Sequence, residues 1–167
     1  FDHIGIQYNA DGSNTYTELV TTVATKTSAH IYNGQGSGNG YKIDAVFAPF
    51  LNFKVGNTYR FDQSDATNDG HPLRFYYDKD KTTQYTTGVT TNGTPGNSGA
   101  YTQIAVTETT PNILYYQCSS HGLMGSRIDT PSSTSVITAS TAFVDTTGSS
   151  INFASQAFSI AQAVALG

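Results

Sequence analysis

The chain has 167 residues, a formal net charge of −4, and charged side chains at only 12% of its positions. A chain of this length buries a core of its own, and its acidic balance excludes an ordinary nucleic-acid-binding surface. Aromatic residues make up 12%, with 11 Tyr and 9 Phe, which excludes the composition of a disordered chain. Together with abundant Thr, Ser, Asn and Gly, this points to an all-β protein with a neutral polar surface, in an extracellular, periplasmic or virion-surface setting. No apolar run approaches the roughly 20 residues needed to span a bilayer. The chain starts at Phe1 without Met and without a signal-peptide pattern, so it is expected to be processed or cut from something longer. Its single Cys excludes an internal disulfide framework.

Residues 1–45 carry short alternating runs, "TYTELVTTVATKT" and "YKIDAVF", which predict a β-rich N-terminal extension. They are broken by "NADGSN" and by "NGQGSGNG", a Gly-rich stretch expected to be a flexible loop. That stretch follows no strand–helix context, so phosphate binding is not supported. His3 and His30 have no partners in sequence and are expected at the surface.

Residues 46–128 predict the core. "FLNFKVGNTYRFDQS" reads as strand, turn, strand: Leu51, Phe53 and Val55 share one parity, Gly56-Asn57 supply a turn, and Tyr59 and Phe61 resume the alternation. In "HPLRFYYD", His71, Leu73, Phe75 and Tyr77 fall on one face of a strand. "TTGVTTNGTPGNSGAYTQ" reads as a long ordered loop, and "QIAVTET" as a strand with Ile104 and Val106 on one face. "NILYYQCSSHG" is a strand whose Leu114, Tyr116 and Cys118 share one parity. The acidic runs at 65–69 and 78–81 match no EF-hand spacing and read as solvated turns rather than calcium sites. Residues 129–167 change texture, with a linker-like "DTPSSTS" and then small apolar residues. They are expected to form a C-terminal extension packing on the core or on partner subunits.

The stretch "CSSHGLMG" holds the only Cys and the only Met of the chain, with His121 between them. A thiolate, two imidazoles and a thioether are the donor set of a blue-copper centre, with Cys and two His in a plane and a long axial Met. Cys118, His121 and Met124 lie on one short loop, and His71, at the start of a strand, is the natural fourth donor. A buried inert thiol, a Cys nucleophile with His121 as base and a tetrahedral zinc site are the alternatives. The first two leave His71 and Met124 unexplained, and zinc has no need of the Met.

"FKVGNTYRFDQSDATNDGHPLRF" followed by "LYYQCSSHGLMG" resembles the cupredoxins, the plastocyanin and amicyanin group, over roughly residues 46–128. The resemblance implies a Greek-key β-sandwich holding one copper ion, with His71, Cys118 and His121 as equatorial ligands and Met124 as axial ligand. It implies one-electron transfer to a protein redox partner near a solvent-facing His121, without an enzymatic activity. Two positions depart from the family. Pro72 stands where an Asn commonly ties the two ligand loops together, so those loops must be braced another way. Gly122 stands where short-loop members usually have Pro. The wording of the loops also resembles cupredoxin-like modules of marine bacteriophage structural proteins. That likeness implies the alternative of a virion or extracellular scaffold contacting neighbouring subunits, with the metal as a staple or absent.

Overall fold

A computed structural model describes residues 6–8 and 14–131. These lie in the first of two compact units, Phe1–Thr134. The expected C-terminal extension, beyond its first three residues, and His3 fall outside the described residues.

In chain order the strands are β1 (Ile6–Tyr8), β2 (Asn14–Thr25), β3 (Asn39–Ile43), β4 (Val46–Phe47), β5 (Leu51–Asn52) and β6 (Thr58–Asp62). There follow β7 (Leu73–Tyr76), β8 (Gln84–Tyr85), β9 (Val89–Asn92), β10 (Tyr101–Ala105), β11 (Ile113–Cys118) and β12 (Arg127–Asp129). A 3-10 turn spans Ala66–Asn68. One sheet runs β4-β3-β2-β6-β10-β9, with β1 also paired to β2, and the other runs β5-β12-β11-β7-β8. Both are mixed: β2 pairs with β6, and β12 with β5, in parallel, while every other pairing is antiparallel. The chain crosses between sheets after β4, β5, β6, β8 and β10. This repeated exchange is that of a Greek-key β-sandwich, the expected fold class. No described helix is long and apolar enough to cross a membrane.

The alternation seen in the sequence places the core. Leu114, Tyr116 and Cys118 of β11, Leu73 and Phe75 of β7, and Phe61 of β6 are fully buried, as are Ile104 and Met124. They pack as one cluster with Leu19, Val23, Tyr41 and Ile43 from β2 and β3. Burying each such large apolar side chain is worth about 1.5–3 kcal/mol. Strands from residues 14–47 therefore form one flank of the first sheet, from edge strand β4 to β2 beside β6, and share the core of the segment that follows.

Three local expectations change. β5 and β6 do not form a hairpin: they lie in opposite sheets, and the Gly56 turn, at φ 87°, carries the chain across the sandwich. Phe53 and Tyr59 then stack face to face across that crossing, ring centroids 3.7 Å apart. The predicted loop at 86–103 contains the edge strand β9, paired to β10 from Tyr101↔Asn92 to Ile104↔Val89. Tyr77 lies past the end of β7 and is half exposed against Tyr85, because the chain leaves the strand at Tyr76.

Candidate metal centre

β11 ends on Cys118, paired with Leu73 at the start of β7. This pairing brings the residue before β7 and the loop after β11 to the same end of the second sheet. Cys118 Sγ lies 3.8 Å from His71 Nδ1 and 3.6 Å from His121 Nδ1. The two imidazole rings sit 4.7 Å apart, tilted by 47°. The three donor atoms lie within 4.8 Å of one another. Bonds of about 2.3 Å to sulfur and about 2.0–2.1 Å to imidazole nitrogen, opened to about 110–120°, separate the donors by roughly 3.5–3.8 Å. The two Cys118–imidazole spacings match those expected around a single first-row ion. Cys118 is buried, His71 half-buried and His121 exposed, so the cup opens at His121.

Met124 is fully buried in the core cluster, and its carbonyl oxygen accepts hydrogen bonds from Tyr41 N–H at 2.7 Å and His30 at 3.0 Å. The loop is thus anchored at its far end by its backbone. Burial, helped by the neighbouring His121 and opposed by Asp69, holds the His71 pKa below its usual value. A neutral ring with a free lone pair is the form a metal requires.

His71 is fixed through its backbone. Its carbonyl oxygen accepts from the Tyr41 hydroxyl at 2.8 Å and from Gln63 Nε2 at 2.9 Å, and its N–H donates to the Asn68 carbonyl at 2.8 Å. Gln63 Oε1 accepts from Leu73 N–H at 3.1 Å. Buried Asn68 ties this group to β2 through Thr21 O at 2.7 Å. Burial and the neighbouring Cys118 push the Tyr41 phenol well above its usual pKa, so it stays a neutral donor. The brace that Pro72 cannot supply is partly restored by Ser119 N–H, which donates to the Pro72 carbonyl at 2.8 Å.

Two other expectations are corrected. His30 is not a surface residue: it is 2% exposed and packs under Met124. The Gly-rich stretch is not a free loop. Ser37 N–H donates to Gly122 O at 3.0 Å, and Lys26 Nζ caps Tyr32 O at 3.2 Å and Gln35 O at 2.7 Å. A Cβ on Gly36 would lie 2.6 Å from the Gly122 carbonyl oxygen, so the two loops touch through backbone. The run at 65–69 is a capped turn, Asp65 accepting from Thr67 N–H at 2.9 Å. In the run at 78–81, Lys81 turns inward to the carbonyls of Cys118, Ser119 and His121. Sequence reasoning missed Tyr41, Gln63, Asn68, His30 and Lys81. The one signal for them was Pro72, which called for a substitute brace without saying where it lay.

No protein-family model and no curated protein matches the chain. Among solved structures it is similar to the copper protein rusticyanin, at 13% identity over 75% of this chain and 86% of that one, with a TM-score of 0.41. Rusticyanin from Thiobacillus ferrooxidans aligns at 14% identity over 71% and 79%, TM-score 0.37. Reduced rusticyanin aligns at 14% over 71% and 81%, TM-score 0.35.

Proposed function

We propose that the chain binds one copper ion at His71, Cys118 and His121, with Met124 as a weak axial donor, and carries single electrons. The observation that carries this reading is the Cys118 thiol flanked by two imidazole Nδ1 atoms at 3.8 and 3.6 Å. Thiolate with two imidazoles and a thioether in the same loop is a donor set that favours copper over the harder ions. When bound, copper supplies the one-electron couple, and the protein's part is to hold the donors still. The hydrogen bonds on the His71 and Met124 carbonyls support a site that reorganises little. His121, exposed at the cup's mouth, is the proposed exit for the electron toward a docked protein partner. No substrate is transformed in this scheme, so the chain is proposed as a carrier and not an enzyme. The low charge and Thr/Ser/Gly-rich composition support a placement in the periplasm or outside the cell.

The test is a visible absorption spectrum after Cu(II) addition to wild type and to Cys118→Ser. An intense thiolate-to-copper band that the substitution abolishes is expected. Absence of the band in folded wild type would overturn the copper reading and leave a scaffold module as the better account.

A further inference from the structure

The Lys81 ammonium lies within hydrogen-bond distance of three carbonyl oxygens of the ligand loop: Cys118 at 2.9 Å, Ser119 at 3.2 Å and His121 at 3.2 Å. A lysine ammonium has three donors and no acceptor, so its full donor set is spent on this one turn. We infer that Lys81 is a positioning residue for the metal loop: it clamps the Cys118–His121 turn and sets a positive charge beside the thiolate donor.

The segment that presents Lys81 is built for the purpose. Asp78 accepts from Asp80 N–H at 2.9 Å and from Thr82 N–H at 3.2 Å, and also from the Thr82 hydroxyl. The turn is closed at its base by Tyr77 N–H to Thr83 O, 3.1 Å. Lys81 itself stands at φ 65°, a left-handed conformation uncommon for a side chain of this kind. Its neighbour Lys79 pairs with Asp80 at the surface, 2.8 Å away, so the two lysines of the run point to different tasks.

The clamp also answers the Pro72 problem. The far end of the ligand loop is held by Ser37, Tyr41 and His30. The near end has the Ser119–Pro72 bond, and Lys81 adds three charge-assisted contacts on the same turn. The consequence for redox chemistry rests on the copper reading above. Reduction of Cu(II) to Cu(I) lowers the positive charge of the centre by one, and a fixed ammonium beside it favours the reduced form.

The experiment uses the full chain and the variants Lys81→Met, Lys81→Arg and Lys81→Gln. In metal-free protein, amide hydrogen exchange of Ser119 in Lys81→Met should quicken by about tenfold or more, the loss expected for charged hydrogen bonds. The amide of Ile104, in a central strand, should keep its rate. If Lys81→Met also quickens Ile104, the milder Lys81→Gln decides by the same criterion. In copper-loaded protein, Lys81→Met should lose about tenfold in preference for Cu(I) over Cu(II), a fall of about 59 mV. Lys81→Arg, which keeps the charge, should stay nearer wild type. An unchanged Ser119 rate overturns the clamp whatever the metal does. A raised rate in a chain that takes no copper upholds the clamp and refutes only the copper reading.

Discussion

His30 Nε2 lies 3.0 Å from the carbonyl oxygen of Met124, although 94 positions separate the two residues. On its other side, His30 Nδ1 accepts from Tyr32 N–H at 3.0 Å. One nitrogen must therefore donate while the other accepts, which fixes a neutral ring with its proton on Nε2. Protonating Nδ1 would set a donor against the Tyr32 donor. Gly40 makes the space, since a Cβ there would lie 2.3 Å from the His30 ring.

This arrangement predicts an acid-sensitive fold. Burial, reinforced by Lys26 and opposed by the bond to Met124, lowers the His30 pKa, and burial lowers that of His71. An imidazole whose folded pKa is depressed is protonated first in the unfolded chain. Stability is then complete above the ordinary histidine value of about 6.5 and falls as pH drops below it toward the lowered folded values. Urea midpoints of metal-free protein at decreasing pH should show this decline, and His30→Gln should show less of it. At neutral pH, His30→Ala should cost about 2–4 kcal/mol, from the lost hydrogen bonds and the cavity. A flat profile between neutral pH and the carboxylate range would refute the buried neutral ring.

The two glycines of the ligand loop should behave oppositely. A Cβ on Gly125 would lie 1.8 Å from the Tyr116 carbonyl oxygen, a backbone atom that cannot step aside, whereas a Cβ on Gly122 meets nothing within 4 Å. Gly125→Ala should cost about 3 kcal/mol or more, and Gly122→Ala should stay within about 0.5 kcal/mol. Thermal denaturation of the two single variants measures both, and equal effects would contradict this path of the loop.

Tyr41 and Gln63 share one acceptor, the His71 carbonyl oxygen. Tyr41→Phe should cost about 1 kcal/mol, because Gln63 remains to satisfy that oxygen. Gln63→Leu should cost about 1–3 kcal/mol, because it also strands the buried Leu73 N–H. The double variant should be non-additive by about 0.5 kcal/mol or more. If the metal reading holds, each single variant weakens metal binding by about 10–100-fold, the usual effect of losing a group that orients a ligand. Strict additivity would show that the two donors brace His71 independently.

Much of the sandwich is legible in the alternation of Leu114, Tyr116 and Cys118, of Leu73 and Phe75, and of Tyr59 and Phe61, because a period of two reports directly which face is buried. The donor cluster is legible for a chemical reason: Cys118, His121 and His71 are scarce residue types in a pattern that one ion explains. What alternation does not encode is which sheet a strand joins. β5 and β6 look like a hairpin because Gly56-Asn57 supplies turn chemistry for either path, and only the parallel partner β12 decides. Nor does local sequence reveal a contact such as His30 with Met124 or Lys81 with Cys118, since nothing near either residue differs from an ordinary polar loop.

Met124 separates an axial donor from a packing residue. It is fully buried within the core cluster, so Met124→Leu, similar in volume, should cost less than about 1.5 kcal/mol, whereas Met124→Ala should cost about 2–5 kcal/mol. If copper binds as proposed, its visible band would arise from the Cys118 thiolate, with His71 and His121 as the other donors it needs. It should survive Met124→Leu. A thioether at the proposed axial position would donate only weakly, so its loss should raise the reduction potential. Loss of the band in a folded Met124→Leu protein would make the thioether a primary ligand. An unchanged potential would remove Met124 from the ligand set and leave it to the core.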